Sequence, residues 1–308
     1  MGRSVLSKPA RLRQGDRVRL IAPASPFDLD LFRSGKTVLE GFGLVPVVDK
    51  GEFSRDGFLA GDDERRANAL TVALCEEDTR AVWCIRGGYG TARALPLLDL
   101  PRLRRHPKLL VGFSDVTSLL VQLARPGGGV AVHGPVVTQL SKLPPTDLRW
   151  LETLLFDPAA PRRVPLGRTR TLVPGEAEGR LMAGNLSVLA SLAGTPFAPD
   201  LRGAVLCIED ANEAAYRLDR LLWQVISAGL MTQVCGVVLG ELVGCKPEGA
   251  GRHSARSVVE RAVAALGLPA ISGAAFGHGC RNVALPLGVR VRLDAGAGTL
   301  TQLETAVR

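Results

Sequence analysis

Short, wholly apolar runs alternate along this chain with longer stretches in which apolar residues recur every three to four positions. The first run, inside Asp16-Arg17-Val18-Arg19-Leu20-Ile21-Ala22-Pro23, predicts a strand ending in the loop Ala24-Ser25-Pro26. A helix is expected from about Asp28 to Phe42, then a strand at Leu44–Val48. Asp62-Asp63-Glu64 opens a second predicted helix, acidic where the helix dipole favours negative charge, with Ala67, Leu70, Ala73 and Leu74 on its apolar side. Ala81-Val82-Trp83-Cys84-Ile85 reads as a buried strand running into the turn Arg86-Gly87-Gly88-Tyr89-Gly90. Leu109 to Phe113 reads as another strand. From Asp115 to Ala124 the spacing turns helical, with Val116, Leu119, Leu120 and Leu123 on one face. A strand near Val130–His133 then ends in His133-Gly134-Pro135. Such alternation predicts an α/β fold: a parallel sheet with helices on both faces, whose loops at the strands' carboxyl ends gather along one edge.

The pattern breaks in the middle. Pro144 to Pro174 is proline-rich and basic, with Arg162-Arg163 and Arg168-Thr169-Arg170, and carries one predicted helix, about Asp147–Leu155; it reads as a linker between two domains. The α/β character returns with Leu181-Met182-Ala183-Gly184-Asn185, leading into a helix through Leu192 with Asn185 as N-cap. Gly203 to Ile208 is a predicted strand with Glu209-Asp210 following its end. Arg217 to Ile226 forms an amphipathic helix, Cys235 to Gly240 a strand, and Ser254–Leu266 a helix. Phe276-Gly277-His278-Gly279 lies in a loop. Val289–Leu293 and Thr299–Leu303 alternate, as a hairpin at a sheet edge would.

Composition narrows the function classes. A chain of 308 residues has room for two domains, and 46% hydrophobic with 22% charged residues is ordinary for a globular protein. The net charge of +8 comes from scattered arginines. Clusters such as Arg102-Leu103-Arg104-Arg105 are short and lack interleaved aromatics, so a basic surface that tolerates anionic substrates is expected rather than a nucleic-acid stripe. No run reaches the roughly 18 apolar residues of a membrane span. Met1 to Arg19 lacks the apolar core of a secretory signal. The six cysteines (75, 84, 207, 235, 245 and 280) show no C-x-x-C pair, and the four histidines are far apart. A cytoplasmic, reduced protein without metal or cofactor is the expectation. The turn at 86–90 invites a dinucleotide reading, but the Gly-x-Gly-x-x-Gly pattern counted from Gly88 meets Arg93 where glycine is required.

The candidate chemistry begins at Ser114, on the strand-to-helix turn after Leu109–Phe113. A serine there is pushed into the open beside backbone N–H groups that a helix's first turn leaves unpaired, which suits a nucleophile and its oxyanion. Such a turn also serves as a plain N-cap through Ser114 or Asp115. A serine needs a base, and the base an orienting acid. His278, flanked by glycines, is the leading base and His133 the rival, with His106 and His253 in charged surroundings. Glu209 leads as the acid, with Asp210 and Glu213 able to replace it. The glycines of the 86–90 turn let an N–H face a ligand.

Taken together, Arg-Gly-Gly-Tyr-Gly (86–90), Gly-Phe-Ser-Asp (112–115), His-Gly-Pro (133–135), Gly-Asn-Leu (184–186), Glu-Asp-x-x-Glu (209–213) with Tyr216-Arg217-Leu218-Asp219-Arg220, and Gly-His-Gly (277–279) resemble the L,D-carboxypeptidases of serine peptidase family S66, which include the muramoyl-tetrapeptide carboxypeptidases. The resemblance runs from about Gly15 to Leu303 with every motif in order. It implies a flavodoxin-like N-terminal domain over residues 1–142, a Pro-rich linker over 143–177 and a smaller α/β domain of swivelling β/β/α type over 178–308. It implies a Ser-Glu-His triad at Ser114, Glu209 and His278, with the two halves folding against each other. The N–H of Asp115 and one from Gly87 or Gly88 would face the oxyanion. Arg86 would meet the substrate's free carboxylate and Asn185 would line the binding wall. The implied substrate is a small anionic muropeptide losing its C-terminal D-alanine, and the implied assembly a homodimer. Related microcin C immunity proteins usually carry an insertion before the Glu segment, absent here, and Ala183 stands where the family often has glycine. A peptide–nucleotide-detoxifying peptidase and a non-catalytic muropeptide-binding module are the alternatives.

Overall fold

The computed structural model describes residues 7–246 and 254–308; His253 lies outside the described residues. The strands, in chain order, are β1 (Arg17–Ile21), β2 (Val45–Val47), β3 (Ala81–Cys84), β4 (Leu109–Gly112), β5 (Ala131–His133), β6 (Arg162–Arg163), β7 (Arg170–Val173), β8 (Glu176–Asn185), β9 (Ala204–Ala211), β10 (Gly236–Val243), β11 (Ala270–Ser272), β12 (Leu285–Leu287), β13 (Arg290–Asp294) and β14 (Thr299–Gln302). They form two sheets.

The first sheet has the order β12-β5-β4-β3-β1-β2. Strands β1 to β5 are parallel in the flavodoxin-like order 2-1-3-4-5. β3, β4 and β5 are buried along their whole length, which is why they read as unbroken apolar runs rather than alternating ones. β12 closes the sheet antiparallel to β5, with Leu285 opposite His133. Its Pro286 is tolerated because an edge strand has a side with no ladder to donate to. The helix Leu29–Gly41 starts at Asp28, whose carboxylate accepts from the N–H groups of Asp30 and Leu31, each at 2.9 Å. The helix Asp63–Cys75 starts at Asp62, which accepts from Arg65 N at 2.7 Å.

The second sheet is mixed, in the order β6-β14-β13-β8-β9-β10-β11-β7. Its centre, β8-β9-β10-β11, is parallel, while β13, β14, β6 and β7 join antiparallel. The linker expected over 143–177 is not one. It holds the helix Pro145–Phe156 and strands β6 and β7. The prolines mark permitted places: Pro145 is at the start of its helix, and Pro161 and Pro174 flank β6 and β7, the two edge strands of the sheet. The tail hairpin, expected at an edge, has β6 beyond it. Glu209 and Asp210 lie within β9 rather than after it.

The chain divides into two compact units, Met1–Pro158 with Ala284–Gly288 and Ala306–Arg308, and Ala159–Val283 with Val289–Thr305. The boundary thus differs from the expected 142/178 split, because β12 and the last residues return to the first unit. Trp150 fixes that return by donating its indole N–H to Ala284 O at 2.8 Å. Among the described residues no helix is long and apolar enough to cross a membrane.

Candidate active site

In the first unit, strand β4 delivers Ser114 to a sharp turn. Phe113 is extended, with φ −157° and ψ −170°, and Ser114 then adopts φ +62°, the left-handed region that costs a non-glycine residue about 1–3 kcal/mol. A single 3-10 turn, Ser114–Val116, follows, and the α-helix begins only at Thr117 and runs to Leu123. The surroundings hold the strained residue in place. Asp115 is buried, its Oδ2 accepts from Thr91 N at 2.8 Å, and its carbonyl accepts from the Ser118 hydroxyl at 3.0 Å. Gly112 packs against Cys84 and Val116, where an added Cβ would stand 3.1 and 3.0 Å away.

The 86–90 turn lies against this elbow. A Cβ on Gly87 would stand 3.0 Å from Ser114 Cβ and 3.3 Å from its Oγ, so only glycine lets the two backbones approach this closely. Gly88 has φ +107°, and a Cβ there would meet Ser25 Oγ at 2.4 Å. Ser25 N donates to Gly87 O at 3.3 Å and Ser25 Oγ accepts from Tyr89 N at 3.1 Å. The loops after β1, β3 and β4 therefore meet, as neighbouring strands in the sheet order require. Arg86 donates to Pro26 O at 2.5 Å beside an open cleft of about 370 Å³, lined by Ser25, Asp28, Arg55, Phe58 and Arg86 among others.

The second unit carries Glu209 and His278. Glu209 on β9 is 1% exposed, and its Oε2 lies 2.6 Å from His278 Nδ1. An ionised carboxylate only accepts, so Nδ1 carries the proton of this bond and Nε2 is left with a lone pair. The ring is about three-quarters covered; Gly277 (φ +114°) brings its loop onto Glu209, where a Cβ would stand 2.7 Å from Oε2. Burial pushes Glu209 above the ordinary carboxylate range, against the hydrogen bond and charge of His278. Burial pulls His278 down, but the hydrogen bond and charge of Glu209, joined by the charge of Asp210, outweigh it, so the imidazole ends above its ordinary value.

Asn185 ends β8 beside Glu209, its strand partner. Its amide donates to Glu209 Oε1 and Asp210 Oδ1, each at 3.2 Å, and its Oδ1 caps the helix Leu186–Leu192 by accepting from Val188 N at 3.2 Å. The side chain expected on a substrate wall is thus turned to the carboxylates. Of the other candidates, His133 is fully buried on β5, edge-on to Phe113 at 5.8 Å. His106 ends the helix Leu100–Arg105, and Glu213 faces Arg217 at 3.8 Å. Sequence reasoning missed Asn282, 1% exposed, whose Oδ1 accepts from Gly277 N at 3.0 Å and shapes the histidine loop. It also missed Glu241, whose carboxylate occupies the space a Cβ on Gly279 would need. A glycine on each side of a histidine was the only signal of such close packing.

Residues 18–134 match the LD-carboxypeptidase N-terminal domain of peptidase family S66, and residues 178–293 match its LD-carboxypeptidase C-terminal domain. A putative carboxypeptidase of Streptomyces coelicolor is 39% identical over 302 residues, covering 96% of each chain. The murein tetrapeptide carboxypeptidase of Pseudomonas aeruginosa is 36% identical over 289 residues, 90% of this chain and 93% of that one. Among solved structures, the muramoyltetrapeptide carboxypeptidase of Oxalobacter formigenes superposes with a TM-score of 0.80 at 28% identity, covering 92% of this chain and 97% of that one. A microcin C7 self-immunity protein superposes with a TM-score of 0.86 over 98% of this chain and 99% of its own, at 21% identity, a likeness of fold. With both domains matched and this identity along nearly its whole length, the chain belongs to the S66 family of LD-carboxypeptidases.

Proposed function

We propose that this chain is a serine-type L,D-carboxypeptidase that removes the C-terminal D-alanine from a murein tetrapeptide, with Ser114, His278 and Glu209 as its triad. The observation that carries the reading is the left-handed Ser114 at the end of β4, strained in the way a nucleophile elbow is, with Gly87 drawn against its hydroxyl. The buried Glu209–His278 pair supports it. In this reading Ser114 Oγ attacks the carbonyl carbon of the L,D bond and its proton passes to His278 Nε2. The backbone N–H of Asp115 and that of Gly87 or Gly88 hold the resulting oxyanion, each such donor worth roughly 3–4 kcal/mol. Collapse breaks the C–N bond as Nε2 gives the proton to the departing D-alanine amine. A water molecule, deprotonated by the same nitrogen, then releases the acyl group from Ser114. Glu209 keeps the imidazole oriented and stabilises its cation throughout. Arg86, at the cleft, meets the peptide's terminal carboxylate.

The relatives named for murein peptides point to that substrate class, and the net charge of +8 suits an anionic muropeptide. A cytoplasmic homodimer acting in peptidoglycan recycling completes the proposal; sedimentation of the purified protein and cell fractionation test those two parts. The main test is mass spectrometry of muramoyl tetra- and tripeptides incubated with the enzyme. Loss of one D-alanine from the tetrapeptide alone is expected, and Ser114→Ala lowers the rate by about 10⁴-fold or more. Turnover of a peptide–nucleotide antibiotic in place of the tetrapeptide, or full activity in Ser114→Ala, overturns the reading.

A further inference from the structure

Beside Glu209 stands a second buried carboxylate that the proposed reaction does not use. Asp210 is 2% exposed and accepts four hydrogen bonds. Its Oδ2 takes the Ser187 N–H at 2.9 Å and the Ser187 hydroxyl at 2.7 Å, while Oδ1 takes its neighbour Ala211 N at 2.7 Å and the Asn185 amide at 3.2 Å. That amide also donates to Glu209 Oε1. Two carboxylates are both acceptors, so Glu209 and Asp210 cannot hydrogen-bond one another directly. The Asn185 side chain, at the end of the neighbouring strand, reaches both.

We propose that Asp210 is a positioning residue for the carboxypeptidase reaction: anchored by Ser187, it holds the Asn185 amide on Glu209 and so fixes the carboxylate that orients His278. The inference rests on the triad reading above. One oxygen of Glu209 meets the imidazole and the other accepts the Asn185 amide. An amide held by one carboxylate, by the capped helix and by its own strand has little freedom to rotate away. Ser187 donates twice to Oδ2 and Ala211 N donates to Oδ1, so both oxygens of Asp210 are held in place. The negative groups facing the imidazole and its loop are Glu209 and Asp210 from β9, and Glu241 from β10, which packs against Gly279.

A purely structural role, capping the helix Leu186–Leu192, makes a different forecast from this one. Two substitutions separate them, each read by the pH dependence of kcat and by NMR titration of His278 in a Ser114→Ala background, which needs no turnover. Asp210→Asn keeps an acceptor for Ser187 but removes the charge. It is expected to lower kcat about tenfold with KM within twofold, as loss of an outer support of a catalytic group does, and to move the His278 titration to lower pH. Asn185→Ser keeps an oxygen for the helix cap but withdraws the amide from both carboxylates. Glu209 then holds its proton more tightly, and the pair titrates at higher pH. The Asp210→Asn displacement follows from the lost charge alone, so the fall in kcat in that variant together with the upward displacement in Asn185→Ser supports the proposal; an unchanged kcat in Asp210→Asn or an unmoved titration in Asn185→Ser overturns it. If Asp210→Asn does not fold, the Asn185→Ser displacement decides alone, upward for the proposal and absent against it. Full activity in Ser114→Ala would remove the triad reading, whereas the titration would still report the coupling among Asp210, Asn185 and His278.

Discussion

Gly87 and Gly277 act through the side chains they lack. Each stands where a Cβ would press on a member of the proposed triad, Ser114 in one case and Glu209 Oε2 in the other. Gly87→Ala has no left-handed backbone to strain, so its effect is confined to the displaced Ser114 side chain. A kcat about 10²-fold lower with little change in melting temperature is expected, measured by steady-state kinetics and calorimetry. Gly277→Ala adds strain at φ +114° to the clash with the carboxylate, and denaturant titration should show a loss of about 1–3 kcal/mol alongside a lower kcat. Glu209→Gln keeps the volume but removes the main charge that lifts His278, leaving burial opposed by the charge of Asp210. The acid limb of the pH–rate profile, which reports the neutral base, should move to lower pH as kcat falls by about 10²–10⁴-fold. An acid limb that stays in place would mean that the imidazole takes its proton affinity from elsewhere.

At the scale of elements, the strand–turn–helix unit at 109–123 was legible because a buried central strand is an unbroken apolar run, and the helix after it is periodic. The 3-10 turn between them was not, since three residues carry no period. Strands β6, β7, β11 and β12, two to four residues each, escaped for the same reason, and the arginines of β6 and β7 with the prolines around them read as linker. In β8 the outer half, Glu176–Gly179, was hidden by its polar residues, although it pairs with β13. Asp115 shows how an element is held from outside itself: its carboxylate caps the N–H of Thr91, at the end of the 86–90 turn. Asp115→Ala leaves that amide without its partner and is expected to cost about 1–3 kcal/mol in urea unfolding. A change within a few tenths would show that the turn and the elbow are braced independently.

For the whole molecule, the decisive feature is that neither unit is a continuous piece of chain. Residues 284–288 and 306–308 belong with the first unit, and nothing in a three-residue strand containing Pro286 announced that return. A fragment ending at Pro158 would lack β12 and leave the β5 edge open and the Trp150 indole without Ala284 O. It is expected to aggregate or melt well below the intact chain in thermal unfolding. Protonation acts at this scale too. Glu209 and His278 both hold protons more firmly in the folded state, so this pair contributes stability that declines with rising pH. Their contribution is complete below the unfolded values and is lost as pH passes the raised His278 value. The slope of melting temperature against pH should be shallower in His278→Ala across that window.

The account stands on Ser114, His278 and Glu209 working as one unit. Measuring kcat/KM for tetrapeptide in the three single alanine variants and in all their combinations tests that directly. Removing all three is expected to cost no more than removing Ser114 or His278 alone, because each loss already disables the whole. Losses that multiply from variant to variant would contradict it, since independent residues, not a triad, would then be carrying the reaction.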